Sequence, residues 1–89
     1  MDYKEEFTEL VFSEVVKQDE KWGFNRDHHP LEWISILSEE VGEVTKEIND
    51  SSFSRIQGFN YEKEIIQCAA VLFQMYKNNQ RNIINDEKG

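Results

Sequence analysis

The chain has 89 residues, room for one domain and not two. Its formal net charge of −8 argues against a nucleic-acid groove, and no stretch approaches the roughly 20 apolar residues that a membrane-spanning helix needs. Cys68 is the only cysteine; with no disulfides to reinforce a small core, a reducing compartment and completion of the core by a partner copy are the expectations.

The opening MDYKEEFTEL has the pattern of neither a signal nor a transit peptide, so a cytosolic setting is expected. The same residues begin a helix expected over about 2 to 21, with Tyr3, Phe7, Leu10, Val11 and Val15 recurring at helical spacing. KWGFNRDHHP then breaks the pattern: Gly23, Asn25, Asp27 and Pro30 are turn formers. Pro30 suits the first turn of a second helix, with His29 or Asp27 near its cap.

That second helix is expected to run to about Ile48. Ile34, Leu37, Val41, Val44 and Ile48 form an unbroken stripe of alternating three- and four-residue steps. NDSSFSRIQGFN follows and reads as a loop. A third helix is expected from about Asn60 to Asn79. Its stretch IIQCAAVLFQMY is apolar on most of its circumference, as in the central helix of a bundle or an oligomer. Cys68, Phe73 and Met75 read as core, and the polar tail beyond about residue 80 is expected to fray. The fold class is therefore all-α: a small bundle of three main helices in a single domain.

SEEVGEVTKE places Glu39, Glu40, Glu43 and Glu47 on the second helix. At about 100° per residue, Glu40, Glu43 and Glu47 follow one flank of the apolar stripe while Glu39 falls towards solvent. Like charges one turn apart repel unless a cation sits between them. Glu40 and Glu43 can converge on a hard cation such as Mg²⁺ or Mn²⁺; a solvated acidic face is the plainer alternative. On the third helix, Glu64 and Gln67 are again one turn apart. If the second and third helices pack antiparallel, Glu40, Glu43, Glu64 and Gln67 form a four-oxygen cluster between them. A salt bridge for Glu64 and an interface hydrogen bond for Gln67 are the structural alternatives.

KWG, HHPLEWISILSEEVGEV and YEKEIIQCAAV together resemble the MazG-like nucleotide pyrophosphohydrolases of the all-α NTP pyrophosphatase superfamily, over about residues 18 to 75. The pattern of that family is EExxE followed by ExxD. Here it is met by Glu39, Glu40 and Glu43, then by Glu64 with Gln67 where an aspartate is usual. The resemblance implies a four-helix-type bundle completed by a homodimer or homotetramer. It implies Mg²⁺ ligation by Glu40, Glu43 and Glu64, with Gln67 ligating or contacting water or substrate. It also implies hydrolysis of a nucleoside triphosphate to monophosphate and pyrophosphate, with Glu43 or Glu39 holding the water. The amide at Gln67 keeps open a non-catalytic module that binds nucleotide or protein. Trp22 and Trp33 are candidates for stacking on a base, with core or interface anchoring as the alternative. Lys21 and Lys77 are candidates for phosphate contact.

Overall fold

The computed structural model describes residues 2–50 and 59–88, and these form three α-helices: α1 (Tyr3–Trp22), α2 (Pro30–Asp50) and α3 (Phe59–Lys88). Of the NDSSFSRIQGFN segment expected to be a loop, residues 51–58 lie outside the described residues, while Asn49 and Asp50 belong to α2 and Phe59 and Asn60 to α3. No described helix is long and apolar enough to cross a membrane.

Each helix starts and stops for a local reason. The Asp2 side chain caps α1, accepting from the Lys4 and Glu5 amides at 3.0 and 3.2 Å. Gly23 ends it at φ 97° and ψ 154°, a conformation that a side chain would strain, and donates its amide to the Asp19 carbonyl. At α2 the cap is His29. Its Nδ1 accepts from the Leu31 amide at 3.1 Å, and the Glu32 carboxylate reaches back to the His29 amide at 3.1 Å. This is the reciprocal logic of a capping box, with an imidazole in place of a hydroxyl.

α3 is the centre of the fold. α1 and α2 each pack on α3 and, among the described residues, not on each other. Gln74 donates to Asp19 at one level and Arg81 to Asn25 a few residues further on, so α1 runs parallel to α3. Trp33 meets Asn78 at one end of α2, and Glu40 lies within electrostatic reach of Glu64 further down, so α2 runs antiparallel. The buried apolar residues are few: Val11, Val15, Ile66 and Ala70 form one cluster between α1 and α3, and Trp33 and Val71 are buried as well.

Four expectations change. α3 continues through the tail expected to fray, because Asn78 and Arg81 are tied to the α1–α2 connection. Asn78 accepts from the His28 amide and from the Trp33 indole, and donates to Asp27; Arg81 donates to the Arg26 carbonyl at 2.8 Å. Second, Tyr3, Phe7 and Leu10 are exposed although they share helical spacing with the buried Val11 and Val15. Third, the α2 stripe is not the core: Ile34, Val41 and Ile48 are exposed, and Leu37 and Val44 are half-buried. Cys68, Phe73 and Met75, expected in the core, are half-buried.

Candidate carboxylate site

Of the two polar pairs of the sequence, Glu40, Glu43 and Glu64 come within electrostatic reach of one another. α2 presents Glu40, Glu43 and Glu47 along the flank turned towards α3, and α3 answers with Glu64. Glu40 and Glu64 are half-buried. Each has one carboxylate oxygen, Oε2, shut off from solvent with no hydrogen-bond partner. Shielding an anionic oxygen in this way is costly unless a donor or a cation meets it.

The electrostatics agree with the geometry. Burial pushes the Glu40 carboxyl above its ordinary range, and the charges of Glu64, Glu43, Glu14 and Glu39 push it further. Burial likewise raises Glu64, reinforced by Glu43, Glu47 and Glu14 and opposed by Lys63. Burial also raises the Cys68 thiol, with Glu40 and Glu64 adding to it, which places that side chain at the edge of the same negative field. Glu14, on α1, is the member that sequence reasoning missed. A signal was available: Glu14 is three residues after Val11 and four before Gln18, both buried, so it belongs to the seam that α1 turns towards α3.

Glu43 is exposed at the mouth of the cluster, and Gln67 is half-buried one turn beyond Glu64. Glu39 is exposed, as its wheel position requires, and is the weakest of the charges acting on Glu40. Among the described residues, no three His, Cys, Asp or Glu side chains close to metal-holding distance. The donors have the right chemistry for a hard divalent cation, hard oxygens including two buried ones without partners, so the residues fit such an ion by donor type.

The other site candidates sit at the opposite end of α2, where the α1–α2 connection crosses α3. Trp33 is buried, at 3% exposure, and its indole N–H donates to Asn78 at 2.7 Å while the His28 ring meets it edge-on. That corrects its expected role: a fixed, enclosed indole anchors the connection and has no free face for a base. The Arg26 guanidinium lies 5.2 Å from the Trp33 ring centre and 5.3 Å from that of Trp22. Trp22 is exposed, with the Lys21 ammonium 4.6 Å from its ring centre. The Lys77 ammonium lies 5.9 Å from the Phe73 ring centre, against the α1 side of α3.

Sequence reasoning also missed a line of buried polar residues. Gln18, Asp19, Gln74 and Asn78 are all nearly inaccessible. Gln74 donates to Asp19 at 3.0 Å, and the Asp19 charge supports Arg26, whose guanidinium burial pulls below its usual range. They escape notice because each is an ordinary polar residue in a helical stretch; only the packing of α1, α2 and their connection on α3 buries them. No family model matches this chain, and no curated protein and no solved structure matches it either.

Proposed function

We propose that the chain is a Mg²⁺-dependent nucleoside triphosphate pyrophosphohydrolase, acting in the cytosol as a homo-oligomer. The observation that carries this reading is the pair of buried, unpartnered carboxylate oxygens on Glu40 and Glu64, carried by antiparallel helices inside a wider acidic field. The MazG-like pattern of the sequence supports the same reaction.

In this reading Glu40 and Glu64 hold the cation, with Gln67 and Glu43 beside them. Bound there, Mg²⁺ (or Mn²⁺) supplies the positive charge that lets an acidic protein accept a triphosphate. Glu43 stands in the open part of the cluster, where it can accept the proton of a water as the oxygen attacks the α-phosphorus. The bond from that phosphorus to the bridging oxygen breaks, and pyrophosphate leaves. Trp22, with Arg26 and Lys21 at its ring, is an exposed aromatic at the end of α1.

A pyrophosphate-release screen over common and modified nucleoside triphosphates with Mg²⁺ and Mn²⁺ tests the reaction. At least one substrate is expected to yield monophosphate and pyrophosphate in equal amounts. Release of orthophosphate alone, or of nothing, overturns the hydrolysis. Glu43→Ala is expected to lose about 10²-fold or more of kcat with helix content and mass unchanged; full activity in that variant rejects the role given to Glu43.

Gln67 favours a second reading, a helical module of the same fold that binds metal-nucleotide without turnover, because an amide adds no charge to the site. Calorimetry separates the two: binding of Mg²⁺-nucleotide with no product formed identifies the module.

A further inference from the structure

The apolar spacing of α1 runs on beyond the part that α3 covers. Val11 and Val15 are buried, while Tyr3, Phe7 and Leu10 stay exposed. These residues border a hollow. Between the N-terminal halves of α1 and α3 lies a cavity of about 310 Å³, to which α1 brings Leu10 and α3 brings Ile66. A second, of about 250 Å³, shares both residues and continues it past Phe7 and Tyr3. Aliphatic walls with a few polar groups at this scale are the usual make-up of a small-molecule pocket.

The polar groups are Ser13, Glu14 and Lys17 of α1 with Glu62 and Lys63 of α3. Among the described residues neither lysine has a carboxylate within 4 Å, so both ammonium groups are open to a ligand. The cavity also shares a wall with the carboxylate cluster. Glu14 lines the cavity, and its charge acts on both Glu40 and Glu64; Lys63 lines it and acts on Glu64. Lys17 and Glu62 line it without acting on either carboxyl, which marks its far side. A ligand lying across both places is flat and apolar at one end and anionic at the other, which is the chemistry of a nucleotide.

We infer that the nucleoside of the substrate occupies this cavity, its phosphates passing Glu14 towards Glu40 and Glu64, and that its base is one carrying both an amino group and a carbonyl, cytosine or guanine. The inference rests on the reading of the carboxylate groove as a nucleotide site. Leu10 and Ile66 take the faces of the ring. At its edge the Glu62 carboxylate accepts from the amino group, as carboxylates do from the cytosine amine, and Lys17 donates to the carbonyl oxygen. Uracil and thymine offer no amino group, and adenine offers no carbonyl. Lys63, on the side of the cluster, meets the first phosphate.

Amide NMR shifts of the full chain, titrated with CMP, GMP, UMP and AMP in metal-free buffer, test the placement without turnover. CMP and GMP are expected to move Leu10, Ser13, Lys17 and Ile66, and to bind about fivefold or more tighter than UMP and AMP. Leu10→Trp fills the cavity from a partly exposed position and is expected to remove those shifts with helix content unchanged. Glu62→Ala is expected to bring the CMP and UMP affinities together while Mn²⁺ binding at the carboxylate cluster stays as in wild type. Pyrophosphate release by the same proteins separates this inference from the hydrolysis. If the wild type hydrolyses a triphosphate, and both variants keep its rate and base preference, the placement is overturned and the hydrolysis stands. If nothing is hydrolysed but CMP and GMP shift the cavity residues, the placement stands and the hydrolysis falls. Shifts gathered at Trp22 and Arg26, equal binding of all four monophosphates by the wild type, or no shift at all overturn the placement.

Discussion

Glu40 and Glu64 are costly residues for the protein to keep in place. Their carboxyl groups are raised by burial first and by neighbouring carboxylates second. The folded state therefore binds more protons at these positions than the unfolded chain, whose glutamates titrate near 4.5. Stability contributed here is present at low pH and is lost as pH rises from the unfolded value through the raised folded values. In metal-free buffer the protein is expected to melt at a higher temperature at pH 5.5 than at pH 7.5. Glu40→Gln and Glu64→Gln are each expected to narrow that difference. Mg²⁺ is expected to raise Tm more at pH 7.5 than at pH 5.5. Thermal melts of the three proteins at both pH values check this; the same pH dependence in all three would mean that the buried carboxylates do not govern it.

At the scale of the element, the connection between α1 and α2 is held by α3 and not by its own turn chemistry alone. Asn78, 2% exposed, satisfies the His28 amide, the Trp33 indole and the Asp27 carboxylate at once. Removing its side chain strands a buried indole N–H and frees a loop. Asn78→Ala is expected to cost about 2–3 kcal/mol in denaturant unfolding, while Asn85→Ala, on the exposed end of the same helix, stays within about 0.5 kcal/mol. Equal effects at the two positions would mean that Asn78 does not hold the connection. The network also accounts for the length of α3. The residues after Asn79 look like a polar tail by pattern, but Arg81 is fixed by the Arg26 carbonyl and the Asn25 side chain.

At the scale of the whole molecule, a core of a few small aliphatic residues and one tryptophan carries a long central helix. Its radius of gyration, 15.2 Å, exceeds the roughly 12 Å of a compact domain of this length. If a partner copy completes the fold, as proposed, mass action stabilises it and Tm rises with protein concentration over a roughly hundredfold range. Calorimetric melts across that range check it, and a constant Tm would mark a fold stable by itself.

Much of this protein was legible in sequence. Helical periodicity and turn residues placed three helices with starts within a residue or two, and the spacing of Glu40 and Glu43 put two carboxylates one turn apart on one flank, because those patterns are local and repeat with the helix. The site was legible only in outline: Glu14 joins it from a third helix, and Trp33 left the list of exposed aromatics once Asn78 and His28 enclosed it. Periodicity identifies an apolar stripe without saying what covers it. Only the tertiary structure could decide that Ile34, Val41 and Ile48 face outward, that Asp19, Gln74 and Asn78 face inward, and that α3 runs on to Lys88. Each of those outcomes depends on which helix lies against which, and pairing between residues fifty positions apart leaves no mark on local sequence.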